Sequence, residues 1–255
     1  MTHVLVTRPL EAAQQLAGQL QSLGLVPIVM PLYTFRASKP GLDINAAWSA
    51  AVARKLAIFT SPRAVQFGLS HIPHDLLKNI EFAAIGSATR RMLESSGHSV
   101  HLQAQTGFTS EDLLQMQELS ENPGRAIIFC APGGRETLAE GLADLGWDVG
   151  KAMVYERVAL QPEPAQLAVL TGAKNLLSLW TSISAVKLAQ EYLPDEVWEK
   201  ILSAPALVIS ARIQHHLQQL GATCVELADG PGNSALLQSI INRPQDGWQT
   251  IERRD

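Results

Sequence analysis

FTSPRAV at residues 59–65 returns as WTSISAV at residues 180–186, an offset of 121 from Thr60 to Thr181. In both copies an apolar run ends on a Thr-Ser pair and a helical apolar pattern begins immediately after it. Serine is a favoured helix N-cap, and Pro62 suits the first helical position because its missing N–H is an orphan there anyway. The unit is therefore strand, hydroxyl turn, helix, written twice. Working outward, residues 6–33 align with 128–155 at an offset of 122, pairing Leu16 with Leu138, Leu20 with Leu142, Gly24 with Gly146 and Tyr33 with Tyr155. Residues 85–97 align with 209–221, and Leu113-Leu114-Gln115 with Leu236-Leu237-Gln238, at offsets of 124 and 123. Matches in the same order at a period this long describe two similar domains, not a solenoid of short repeats.

Each copy alternates short apolar runs with stretches of helical period that stop at glycine, as at Gly24, Gly97, Gly146 and Gly221. Strands alternating with helices of that length imply parallel sheets covered on both faces. The expected fold is α/β, with two similar doubly wound parallel-sheet domains. Polar or proline-rich junctions fall at 36–43, 118–125 and 161–173, the first and third just after the matched Tyr33 and Tyr155. Crossings there predict interleaved domains: 1–35 with 175–255, and 36–174. Residues 243–255 read as a polar tail.

Composition narrows the function. A net charge of −4 and a pI near 6.0 argue against a general nucleic-acid binder, which needs a basic face to displace phosphate counterions. No apolar run approaches the roughly 18 residues a membrane span requires, and the chain moves from Met1 straight into a strand pattern. A soluble cytoplasmic protein is expected. Cys130 and Cys224 each lie in or beside an apolar strand pattern and read as reduced core thiols. No Walker pattern and no Gly-x-Gly-x-x-Gly follow the first strand. His71 and His74 are interrupted by Pro73, while His215 and His216 are adjacent on a helix and cannot face one ligand together. No metal site is expected.

In open parallel sheets, ligands gather where strands end and helix N-termini present unpaired N–H groups. Here those positions carry Thr7-Arg8, Thr60-Ser61, Gly86-Ser87, Pro132-Gly133-Gly134, Thr181-Ser182 and Ser210-Ala211. Small and hydroxylated residues let backbone amides approach an anion closely. Each hydroxyl alone also reads as an ordinary N-cap. Their repetition at equivalent ends of both copies is what points to binding of a large polyanion. Tyr155 has two readings. Its phenol can donate a proton without placing negative charge near an anionic ligand, or it can simply pack at a domain crossing, as Tyr33 can. Glu156 and Arg157 read either as a carboxylate with its partner or as solvated charges.

The ordered series VTRP (6–9), FTSPRAV (59–65), AIGSAT (84–89), TSEDLL (109–114), GGRETL (133–138), VYER (154–157), WTSISAV (180–186), VISAR (208–212) and LGATCVEL (220–227) resembles the uroporphyrinogen-III synthase family over nearly the whole chain. The resemblance implies two α/β domains joined by a two-stranded linker, with the active site in a cleft between them. It implies a lyase that cyclises hydroxymethylbilane with loss of water and inversion of ring D, giving uroporphyrinogen III without metal or organic cofactor. It also implies that Tyr155 assists departure of the hydroxyl group. Thr60, Ser61, Ser87, Thr89, Thr181 and Ser182 match family positions that contact substrate or line the cleft, and the strand-end reading adds Arg8, Gly86, Gly133, Gly134, Ser210 and Ala211 as substrate-binding residues. Arg212-Ile213 departs from the family's commoner hydroxyl-containing run, so backbone amides are the expected contact there. A monomer is expected, with no nucleic-acid or membrane partner. A non-catalytic two-domain small-molecule sensor and a phosphosugar enzyme using the Gly133-Gly134 loop are the competing readings.

Overall fold

A computed structural model of the chain describes residues 1–49, 54–104, 107, 109–133 and 136–242. Twelve strands are present among them: β1 (Thr2–Val6), β2 (Val26–Val29), β3 (Tyr33–Ala37), β4 (Lys55–Phe59), β5 (Glu81–Ala84), β6 (Leu102–Gln103), β7 (Arg125–Cys130), β8 (Asp148–Met153), β9 (Tyr155–Ala159), β10 (Asn175–Trp180), β11 (Ala206–Val208) and β12 (Val225–Leu227). They form two five-stranded parallel sheets, ordered β12-β11-β10-β1-β2 and β6-β5-β4-β7-β8, and a two-stranded sheet of β3 and β9.

The two orders are the same once the duplication is applied. β1 and β2 correspond to β7 and β8, while β10, β11 and β12 correspond to β4, β5 and β6. Each sheet thus takes two strands from one copy and three from the other. The chain divides into two compact units accordingly, unit 1 of residues 1–34 and 158–255 and unit 2 of residues 35–157. The crossings fall inside β3 and β9. The second crossing precedes the 174/175 boundary expected from the polar stretch, because the helix Pro164–Gly172 packs on β2 and on the helix Asp195–Ser203 of unit 1. Proline-rich sequence marked the start of a helix there, not a domain junction.

In unit 2, alternate strand residues face opposite sides, as the pleat requires. Ala57, Phe59, Phe82, Ile127 and Phe129 enter one core cluster, and Leu56, Ile58, Ala83, Ala126 and Ile128 the other. The rings of Phe59 and Phe129 stack at 4.6 Å between centroids. Arg54 clamps the sheet's lower end, with a bidentate bond to Glu81, two backbone carbonyl acceptors and Trp147 under its guanidinium at 5.0 Å. Unit 1 packs Leu16 and Leu20 of the helix Leu10–Ser22 against Val4, Val6 and Leu179.

The matched glycines share one task. Gly24 and Gly146 have φ of 75° and 89°, a conformation that costs glycine nothing and other residues more. Each N–H bonds back into its helix, and the following residue bonds the carbonyl of Leu20 or Leu142, closing the helix end. No helix among the described residues is long and apolar enough to cross a membrane.

Candidate active site

In each sheet the strand order reverses at one point, between β4 and β7 in unit 2 and between β10 and β1 in unit 1. Ligands bind at the carboxyl ends beside such points because the flanking turns diverge and leave a crevice. In unit 2 this crevice is a pocket of about 690 Å³, lined by Thr60 and Ser61 after β4, by residues 130–133 at the end of β7, and by Lys151, Tyr155 and Phe35 among others. Its size is that of a small-molecule site.

Ser61 has extended backbone (φ −161°, ψ 162°), and its Oγ accepts the Ala64 N–H at 3.1 Å, capping the helix Pro62–Gly68. The same Oγ lies 3.0 Å from the Tyr155 phenol oxygen. Tyr155 opens β9; it does not close the preceding strand as its sequence suggested, because the chain leaves β8, which pairs with β7, at Val154 and joins β3 in a separate sheet. Phe35 meets its ring edge-on at 5.7 Å and Phe67 stacks on it at 5.8 Å, leaving the residue 9% exposed. The aromatic clamp holds the ring, and the oxygen stands at the pocket wall beside Ser61.

Thr60 donates its hydroxyl proton to the Phe129 carbonyl at 3.1 Å. Its remaining capacity is therefore as an acceptor, which suits an N–H donor better than a carboxylate. Lys151 on β8 reaches the pocket and pairs with Glu136. Glu156 accepts from Arg36 at 2.7 Å, a partner other than the Arg157 that one of its two sequence readings offered. Arg157 and Arg63 instead place guanidiniums 5.9 and 5.1 Å from the Phe35 ring centroid. Burial pushes the Cys130 thiol pKa up; nearby Lys151 pulls it down and Glu136 adds to the rise.

Unit 1 repeats the turn. Ser182 accepts the Ala185 N–H at 3.1 Å and donates to the Tyr33 phenol at 3.4 Å. Ser210 caps the helix Ala211–Gln219 through Ile213, and Ala211 is that helix's exposed first residue. Thr181 is half-buried at the end of β10. Arg8 donates to Asn233 Oδ1; burial pushes its pKa down, with Tyr33 acting the other way.

Thr60, Ser61, Gly133 and Tyr155 thus meet around one pocket. Gly86 and Ser87 do not line it; Gly86 is the N-cap and Ser87 the first residue of the helix Ser87–Ser95. Thr89 shares the buried face of that helix with Leu93 and is 2% exposed. Gly134 lies outside the described residues. The sequence reading missed Lys151, Ser110 and Cys130 as lining residues. A lone lysine within the apolar run 149–154 was the available signal for the first. Among the described residues no three His, Cys, Asp or Glu gather as a metal group would require.

A family model described as uroporphyrinogen-III synthase HemD matches residues 14–238. The uroporphyrinogen-III synthase of Escherichia coli K12 is 29% identical over 252 residues, covering 93% of this chain and 99% of that protein. The enzyme of the same name from Salmonella typhimurium is 29% identical over 246 residues, with the same coverage of both chains. Among solved structures, the synthetase of Helicobacter pylori superposes with a TM-score of 0.64 at 19% identity, covering 94% of this chain and 99% of that one. A mutant synthase of Thermus thermophilus gives 0.60 at 18% identity, with 94% and 98% covered. At such identities the structural likeness speaks for the fold alone.

Proposed function

The chain belongs to the uroporphyrinogen-III synthase family, and from that premise we propose that it closes hydroxymethylbilane to uroporphyrinogen III with Tyr155 as proton donor. The observation that carries the assignment is the phenol of Tyr155 at the pocket wall, clamped between two aromatic rings and hydrogen-bonded to Ser61.

The reaction begins when the terminal hydroxyl departs. In our reading the Tyr155 O–H bond breaks as its proton passes to that hydroxyl, the C–O bond cleaves, and water leaves. The pyrrole nitrogen's electron pair stabilises the methylene cation that remains. A phenol suits this step because it is neutral before transfer and so does not repel the substrate's carboxylates. The cationic methylene then bonds the ring D carbon that carries the bridge to ring C, giving a spiro intermediate. The old bridge bond breaks, its methylene re-bonds the free α-carbon of ring D, and the proton displaced from that carbon returns to the phenolate. Because the linear substrate also closes spontaneously to isomer I, the protein must hold it in the inverting geometry. That is an orientation effect, and only contacts stronger in the transition state raise the rate.

We assign the substrate's carboxylates to backbone amides and cations at strand ends: Gly133 and Lys151 in the pocket, Gly86 and Ser87 after β5, and Arg8, Thr181, Ser182, Ser210 and Ala211 in unit 1. Thr60, committed as a donor to Phe129, is read as an acceptor for a pyrrole N–H. We take the enzyme to be a cytoplasmic monomer. Incubation with freshly generated hydroxymethylbilane and chromatographic separation of the isomers tests the function. Isomer III above the spontaneous background is expected; isomer I alone would remove the reading.

A further inference from the structure

We propose that Ser61 is a positioning residue, donating its hydroxyl proton to Tyr155 Oη so that the phenolic proton is turned into the pocket. The inference rests on the acid role assigned to Tyr155. The two oxygens are 3.0 Å apart, and either is able to be the donor. If Tyr155 donated, its proton would point at the helix cap, away from any leaving group.

Two observations favour the other direction. Ser61 Oγ already accepts the Ala64 N–H at 3.1 Å, and a hydroxyl that accepts a hydrogen bond is polarised into a better donor. The second is the duplicated pair in unit 1, where Ser182 accepts the Ala185 N–H and donates to the Tyr33 phenol. The cap therefore orients the serine, and the serine orients the tyrosine. Phe35 and Phe67 hold the ring, so the phenol oxygen keeps its place as the proton leaves.

The consequence is catalytic, not merely geometric. When Tyr155 gives its proton to the departing hydroxyl, the phenolate left behind accepts the Ser61 O–H in a charge-assisted bond stronger than the one it replaces. That contact strengthens toward the transition state, so it lowers the barrier without tightening substrate binding. Ser61 thereby moves from the substrate-contacting set to a role exercised through Tyr155.

Steady-state kinetics of Ser61→Ala, Ser61→Thr, Tyr155→Phe and the Ser61→Ala/Tyr155→Phe double variant test this. Ser61→Ala is expected to lower kcat roughly 10- to 100-fold with KM within about twofold of the parent, the scale at which misplacing a reacting group acts. Ser61→Thr keeps both hydroxyl bonds and is expected to recover most of kcat. Ser61→Asp keeps a cap acceptor but has no proton to donate at neutral pH, so its kcat stays low even if Ser61→Ala folds poorly. The double variant should be no slower than Tyr155→Phe alone. Full kcat in Ser61→Ala, a change confined to KM, or additive losses in the double variant would each overturn the positioning role. Undiminished kcat in Tyr155→Phe would instead remove the acid reading itself.

Discussion

The oxygens of Ser61 and Tyr155, 94 residues apart in the chain, lie 3.0 Å from one another, and the serine belongs to the first sequence copy while the tyrosine belongs to the second. The reciprocal pair, Ser182 and Tyr33, takes its serine from the second copy and its tyrosine from the first. This exchange follows from the sheet orders. β4 with its Thr-Ser turn pairs with β7 of the other copy, β8 lies on the far side of β7, and the chain passes from β8 through Val154 to Tyr155. The two pairs differ in their surroundings. Tyr155 is gripped by Phe35 and Phe67, whereas Tyr33 has the half-buried Arg8 guanidinium as an electrostatic neighbour. One phenol is set among rings beside a pocket and the other beside a cation.

Tyr155→Phe removes one hydrogen bond and leaves the aromatic packing. Stability should fall by about 1 kcal/mol, while kcat should fall about 10²- to 10⁴-fold if the phenol is the acid. Circular dichroism melts beside isomer III assays separate the two effects. Near-parental turnover would leave Tyr155 a packing residue.

Cys130 offers a test of the pocket itself. It is 8% exposed, and burial is the leading cause of its raised thiol pKa. A folded-state pKa above the unfolded one means that this proton contributes stability below the ordinary thiol range, lost as pH rises through the folded value. Iodoacetamide labelling of Cys130, followed by peptide mass spectrometry, should therefore lag the unfolded chain at pH 8 and catch up as pH rises further. Bound product should slow it again; equal labelling with and without product would place the ligand elsewhere.

Gly68→Ala ought to stabilise an ordinary helix, since alanine is the better helix former. Here the added Cβ would stand 2.8 Å from Phe129 and 3.1 Å from Phe59, whose rings are already stacked. We expect a loss of about 1–3 kcal/mol from overpacking. Urea denaturation measures it, and a gain in stability would show that the aromatic stack yields freely.

In unit 1, Ser178 is fully buried and accepts the indole N–H of Trp180 at 2.9 Å. Ser178→Ala would strand that donor in the core, at a cost of about 1–3 kcal/mol. Chemical denaturation followed by tryptophan fluorescence reads the change. An unaltered midpoint would mean that the indole finds another acceptor.

Local chemistry made much of this protein legible in advance. Apolar runs alternating with helical periods, serine caps and glycine stops act within a few residues, so they announced parallel α/β units, their duplication and the polar turns at strand ends. The resemblance then attached a reaction to Tyr155. What a single chain does not display is which turn faces which strand. The Pro164–Gly172 helix joins unit 1 because its partners lie more than a hundred residues away on β2 as well as nearby in the helix Asp195–Ser203. Thr89 carries a hydroxyl at the right sequence position, but the residue shares the buried face of its helix with Leu93. Lys151 reached the pocket, and Glu156 found Arg36 in place of Arg157, through strand pairings that no local pattern encodes. The elements and their repetition follow from propensity and capping, which act at short range. The meeting of Ser61 with Tyr155 follows from chain folding, because that contact exists only once two parallel strands from different copies lie side by side.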